Sequence, residues 1–313
     1  MPEIRKDPFT DEQVIIAMER AKRPTDFHDD GSNKEEKTCF FCRGREKLTP
    51  SETFRIDDDN GEWIVRSFPN KFPILCSDMT DGNGIHEVIV DNCGHDKSFF
   101  NMNIKEFKYM LLAYKNRYIA LYNTASTQYV SVFKNYLKKA GASLDHPHSQ
   151  IISLPIIPNI IMTELNNCKK FYEYRGEIMH QVLIREERDK GDRVIFETDN
   201  FIVIAPFASK YNYETQIIYK NKGLFQSMTD RIITELSEVF FGLFSRYGNV
   251  LGRFPFNLFL HAHPNLMEDA PYNWHLHITP RVSQQAGFEL STGIYVNDIP
   301  PEKAAKLLIS AGH

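Results

Sequence analysis

Near the middle of the chain runs Gly141-Ala142-Ser143-Leu144-Asp145-His146-Pro147-His148-Ser149-Gln150. Extended backbone alternates its side chains, so a strand over residues 146–151 puts His146, His148 and Gln150 on one face and Pro147 and Ser149 on the other. A neutral imidazole can attack phosphorus without first losing a proton, and a phosphorylated histidine is a good leaving group. Gln150 can donate an amide hydrogen bond to a developing phosphoryl oxygen, but it brings no charge and moves no proton. That set favours group transfer over acid-base hydrolysis.

A second chemical signal is Cys39-x-x-Cys42, the two-thiolate spacing of tetrahedral zinc, which needs two further ligands. A redox dithiol is the competing reading, but no strand leading directly into a helix start surrounds it. The other cysteines, 76, 93 and 168, bring the count to an odd five, so a disulfide framework does not fit. His275 and His277 share one strand face as His146 and His148 do, with His261 and His263 close before them. His86 opens an apolar strand and reads as a strand-end histidine.

The elements that must position these residues occur twice in one order. In the first series, strands at 62–69 and 86–90 precede a helix at about 104–122, a strand at 129–133 and the histidine strand 146–151. The second has strands at 200–207 and 214–218, a helix at about 229–247, and strands at 256–260 and 274–278. Phe107, Met110, Leu111, Tyr114 and Tyr118, and Ile232, Ile233, Leu236, Val239, Phe240 and Leu243, carry the helical spacing. The order implies an internal duplication and an α+β fold of two halves with antiparallel sheets and packed helices, residues 1–163 and 194–313. The charged stretch 164–193 reads as a linker with some helix, and 25–38 as a polar mobile loop.

Composition narrows the partners. The chain has 313 residues, 42% hydrophobic and 25% charged, which is ample for a core, and 37 basic against 41 acidic residues leave a net charge of −4. No basic surplus recommends nucleic acid. The most apolar stretch, 151–162, is too short to cross a bilayer and carries Pro155 and Pro158, so no membrane partner is expected. The mixed charges of the first residues do not form a signal peptide, and a cytoplasmic protein is the expectation.

His-Pro-His-Ser-Gln after Gly-Ala-Ser resembles the active-site strand of the galactose-1-phosphate uridylyltransferase family, in the histidine-triad superfamily. The resemblance extends through Arg5-Lys6-Asp7-Pro8, Arg20-Ala21-Lys22-Arg23-Pro24, Cys39-Phe40-Phe41-Cys42, Pro69-Asn70-Lys71-Phe72-Pro73 and Gly287-Phe288-Glu289. It implies two tandem histidine-triad-like halves. It also implies that His148 takes a nucleoside monophosphate from a nucleotide sugar and passes it to a hexose 1-phosphate by ping-pong chemistry, as a UDP-glucose:hexose-1-phosphate uridylyltransferase does. By the same resemblance Gln150 and Ser143 hold phosphoryl oxygens, Arg20 and Arg23 face the phosphates, Asn70 and Asn135 lie near the nucleoside, and Glu289 beside Phe288 contacts hexose hydroxyls. Zinc, about one per chain, falls to Cys39, Cys42, His95 and His146. The resemblance further implies a possible second metal, iron or zinc, on Glu164, His261, His275 and His277, and a homodimer.

Three features lean toward a neighbouring activity. Tyr295 stands near the place of a glutamine that galactose-specific members carry, Ser149 stands where they have glycine, and 287–295 is similar to ADP-glucose phosphorylases, in which inorganic phosphate is the acceptor. A dinucleoside-polyphosphate phosphorylase shares that chemistry. A catalytically silent nucleotide-binding protein is the alternative of another class.

Overall fold

The computed structural model describes residues 2–19, 39–76 and 83–312. In chain order the elements are β1 (Glu3–Lys6), β2 (Gln13–Ile16), β3 (Phe54–Asp57), β4 (Trp63–Pro69), β5 (His86–Val90), α1 (Ile104–Tyr122), β6 (Tyr129–Tyr136), β7 (His148–Leu154), α2 (Asn159–Arg175) and α3 (Met179–Lys190). There follow β8 (Val194–Glu197), β9 (Phe201–Ile204), β10 (Thr215–Tyr219), α4 (Asp230–Leu251), β11 (Phe256–His261), β12 (His275–Pro280), α5 (Gly287–Thr292), β13 (Tyr295–Asn297) and α6 (Pro301–Ser310).

Ten strands form one antiparallel sheet in the order β3-β4-β5-β7-β6-β11-β12-β10-β9-β8. Read outward from the centre, β6-β7-β5-β4-β3 and β11-β12-β10-β9-β8 are the same series, so the duplicated order in the sequence is a duplicated half-sheet. The halves meet where β6 pairs with β11, Tyr136 opposite Phe256 and Phe133 opposite Phe259. A smaller sheet sets β2 between β1 and β13.

Helix α1 starts at a capping box in which the Asn103 side chain accepts from the Glu106 N–H and Glu106 accepts from the Asn103 N–H. Its apolar stripe, Phe107, Met110, Leu111, Tyr114 and Tyr118, is buried as the spacing implied. Helix α4 lies beside it on the same face of the sheet. Phe99, Phe107, Phe240 and Phe244 interlock between them, with ring centroids 4.9 Å apart for Phe99 and Phe244 and 5.6 Å for Phe107 and Phe240. Each such burial is worth about 1.5–3 kcal/mol, which binds the halves through helices as well as strands.

The opposite face carries more helix than the sequence reading gave it. Residues 164–193, read as a charged linker with some helix, form most of α2 and all of α3. Charge covers their outer sides, while Ile161, Glu164, Leu165 and Cys168 of α2 and His180, Val182 and Ile184 of α3 are buried. Ile184 packs on Ile202, Ile204 and Ile218, so β9 is apolar on both faces: Phe201 and Val203 join the main core. The expected loop at 25–38 lies outside the described residues.

Candidate active site and metal centres

β7 sends Ser149 toward α1 and turns His148 and Gln150 to the opposite face of the sheet. The strand begins at His148 rather than at 146. Pro147 has no N–H for a ladder, and its carbonyl accepts from the Asp91 N–H at 3.0 Å. Before it the chain turns tightly at Gly141, whose φ of +90° is costly for a side-chain-bearing residue.

His148 is 7% exposed, and its Nδ1 lies 2.8 Å from the His146 carbonyl oxygen. A carbonyl only accepts, so Nδ1 carries the proton and Nε2 keeps its lone pair. Burial, and after it the Lys134 ammonium, hold His148 below the usual histidine range and so keep the ring neutral. His148, Gln150, Ser143 and Asn70 line one cavity of about 500 Å³, walled by Phe41, Phe68, Leu144 and Val88. Phe40 and Phe72 form its exposed rim. The space suits a flat aromatic group with a charged group held beside His148.

Beneath His148 lies a polar cluster that sequence reading missed. Lys134 on β6 is 1% exposed and donates to Asp91 at 2.7 Å and to the His148 carbonyl at 2.8 Å. Ser149 donates to the same Asp91 carboxylate at 2.9 Å, and Tyr114 of α1 reaches both Asp91 and Ser149. One salt bridge thus ties β6, β7 and the end of β5 together under the reacting ring. The available signal was a lysine and an aspartate each at the end of an apolar run.

Cys39, Cys42, His95 and His146 converge, with all ligand atoms within 4.8 Å of one another. Sulfur-to-nitrogen distances are 3.6 Å from Cys39 to His146, 3.4 Å from Cys42 to His95 and 3.7 Å from Cys42 to His146. A tetrahedral zinc bound at its usual lengths requires edges of about 3.6 Å between sulfur and nitrogen. His146 Nε2 donates to the Asn92 carbonyl at 2.9 Å, which turns a bare Nδ1 toward the thiols, and burial holds the ring at a pKa of about 4. The four residues therefore fit zinc. Replacing Cys39 and Cys42 together by serine should lower bound zinc by about one equivalent per chain. Unchanged zinc by elemental analysis would place the metal elsewhere.

Glu164, His261, His275 and His277 form a second such group. Glu164 accepts from His261 at 2.9 Å and from the Tyr272 hydroxyl at 2.5 Å. Burial raises its pKa, but His261, His275 and Tyr272 outweigh this and hold it at about 2. The Nδ1 of His275 donates to the Asn273 carbonyl at 3.1 Å, leaving Nε2 bare, and the buried His277 Nε2 has no hydrogen-bond partner among the described residues. An orphaned imidazole nitrogen beside a carboxylate fits a cation. Sequence reading missed His180 and Glu214, which line the small cleft beside these four.

Comparison with known proteins bears on what this geometry serves. The family described as "Domain of unknown function (DUF4921)" matches residues 94–311, and the N-terminal domain described as DUF4931 matches 21–157. The chain is 32% identical to ADP-glucose phosphorylase of Arabidopsis thaliana, over 98% of its own length and 92% of the relative's. The crystal structure of that type from Arabidopsis thaliana with bound ADP-glucose superposes with a TM-score of 0.87 at 31% identity, covering 99% of this chain and 98% of the other. Galactose-1-phosphate uridylyltransferase of Thermotoga maritima is 25% identical over 98% of both chains. The chain belongs to the galactose-1-phosphate uridylyltransferase and ADP-glucose phosphorylase family of enzymes.

Some residues that resemblance to the uridylyltransferase family singled out are not in the lining of the His148 cavity. Asn135 accepts from Asn257 at 2.8 Å across the β6–β11 join, on the sheet face that carries His148 and one strand away from it. Phe288 and Glu289 lie on α5, where Glu289 accepts from the Ala286 N–H at 2.9 Å and borders a cleft with Lys210 and Tyr211. Arg20 and Arg23 lie outside the described residues. Among the described helices none is long and apolar enough to cross a membrane.

Proposed function

We propose that the chain transfers a nucleoside monophosphate from a nucleotide sugar through His148, and that it is of the ADP-glucose phosphorylase kind. The observation that carries the transfer is the free Nε2 of His148 in the wall of the cavity beside the Gln150 amide. Its lone pair attacks the α-phosphorus, the bond to the sugar-phosphate oxygen breaks, and hexose 1-phosphate leaves with that electron pair. An acceptor oxygen then attacks the same phosphorus, the P–N bond breaks, and the ring returns to its neutral form without a separate base. While the adduct stands the ring is cationic, and its Nδ1–H bond to the His146 carbonyl strengthens. Ser143 and Gln150 hold phosphoryl oxygens, and the apolar walls hold the base, with Asn70 at their edge. Zinc, when bound, fixes His146 and thereby the carbonyl that orients His148.

Identity of 32% with a phosphorylase against 25% with a uridylyltransferase supports phosphate as acceptor, together with Ser149 and Tyr295. Uridylyl exchange between UDP-glucose and a hexose 1-phosphate is the second reading, favoured by the shared His148 and Gln150 set. ADP-glucose with phosphate alone should release ADP and glucose 1-phosphate. If phosphate yields no nucleoside diphosphate while UDP-glucose and galactose 1-phosphate exchange, the uridylyltransferase reading takes its place.

We also propose a homodimer. Glu289 lies off the His148 cavity of its own chain, so a Glu289 that contacts the hexose would reach the cavity of a second copy. A monomeric mass by light scattering at assay concentration would overturn this.

A further inference from the structure

His86, which the sequence presents as a strand-end histidine, has a buried ring with a partner at each nitrogen. The Ile74 N–H lies 3.1 Å from Nδ1, and an amide N–H can only donate, so Nδ1 is an acceptor. The neutral ring must then carry its proton on Nε2. Two side chains approach that nitrogen: Gln150 Oε1 at 2.8 Å and Asn70 Nδ2 at 3.2 Å. Asn70 cannot accept through its amino group, and its own Oδ1 is taken by the Phe72 N–H at 2.9 Å. The Nε2 proton therefore goes to Gln150. Burial lowers the His86 pKa and favours the neutral ring that this tautomer requires.

We infer that His86 is a positioning residue for nucleotidyl transfer: it captures Gln150 Oε1 and so turns the Gln150 amino group toward the phosphoryl group at His148. A glutamine amide is nearly symmetric in shape and opposite in polarity at its two ends. Flipped, it would aim a carbonyl oxygen at phosphoryl oxygens; held as here, it aims two N–H donors at them. Among the described residues Gln150 Nε2 has no hydrogen-bond partner, although the residue lines the cavity.

The surroundings hold His86 for this task. Gly84 lets the 74–76 segment lie close, since a Cβ there would stand 2.5 Å from the Ser153 carbonyl oxygen and 2.9 Å from Leu75 Cβ. The second half repeats the arrangement. Gln150 lies opposite Val88 and His277 opposite Gln216, and the residue two before each partner, His86 or Glu214, turns its side chain to them. Glu214 Oε1 is 3.5 Å from His277 Nδ1. The same structural position thus places a polar side chain beside Gln150 in one half and beside His277 in the other, where His277 Nδ1 also accepts from the Gln216 amide at 3.4 Å.

This inference rests on the covalent-transfer reading, and the test separates the two. His86→Asn keeps an acceptor for Ile74 and has no atom that reaches Gln150; His86→Gln keeps an N–H where Nε2 stood. Adduct formation from ADP-glucose in a single turnover should fall about 10–100-fold in His86→Asn, with donor affinity changed less than about 3-fold. His86→Gln should recover to within about 5-fold of the parent, and in a Gln150→Ala background His86→Asn should cost less than about 2-fold. Should the Asn variant melt below the assay temperature, His86→Phe replaces it. An unchanged rate, or an equal loss with and without Gln150, overturns the positioning role. A parent protein that forms no adduct while binding donor removes covalent transfer itself, and this role with it.

Discussion

His148→Asn should bind ADP-glucose within about 3-fold of the parent, form no covalent adduct, and lose turnover by about 10⁴-fold or more. Asparagine is the informative replacement because its amide nitrogen takes the place of Nδ1 and can still donate to the His146 carbonyl, which stands 2.8 Å from the ring. Nothing then occupies the place of Nε2. Loop and cavity stay intact, and only the lone pair that would bond to phosphorus is gone. Intact-protein mass after donor addition reads the outcome directly: the parent gains the mass of a nucleoside monophosphate and the variant does not. An adduct on His148→Asn would move the nucleophile to another residue. No adduct on either protein, with binding retained in both, would favour a silent nucleotide-binding protein.

The second large effect is on stability. Asp91→Ala leaves the Lys134 ammonium 1% exposed with the His148 carbonyl and the Phe99 ring, 4.9 Å away, for company. Removing one partner of a buried ion pair costs about 3–5 kcal/mol, because the remaining charge is neither solvated nor paired. Denaturant unfolding should show a loss of that size in Asp91→Ala. Asp91→Leu combined with Lys134→Met should recover part of it, since no unpaired charge remains, although Ser149 loses its carboxylate acceptor and the His148 carbonyl its lysine donor. A loss below about 0.5 kcal/mol would mean that solvent reaches Lys134 and that the salt bridge does not brace the strand.

Much of this was legible in the chain, and what was not failed for physical reasons. Helix α1 was placed where it lies because its apolar stripe is a local signal. The convergence of four residues able to hold a metal was readable because Cys39 and Cys42 announce themselves by spacing, and family resemblance supplied His95 and His146. Lys134 and Asp91 were passed over because each looks out of place alone, and only the register that sets β5 and β6 on either side of β7 makes them a pair. His86 shows the same limit: its tautomer depends on Ile74 and Gln150, contacts fixed by tertiary structure. The extent and packing of α2 and α3 were underread, as a linker with some helix, because their charge outweighs a narrow buried stripe, and Glu164 belongs to that stripe.

The join between β6 and β11 carries a mechanical consequence. Ladder hydrogen bonds run unbroken across it, and the aromatic rings of α1 and α4 lock the same seam from one side. Enzymes that close two lobes on a substrate need a seam that bends; this one is a stiffened plate. Bending would have to break backbone pairs and open a packed core at once. Among the described residues the mouth over His148 is rimmed by the exposed Phe40 and Phe72, and in the transfer proposed above the floor holding the imidazole stays fixed while that rim adjusts. Such a floor suits a site that meets two substrates in turn and must offer the same nitrogen, at the same angle, to both.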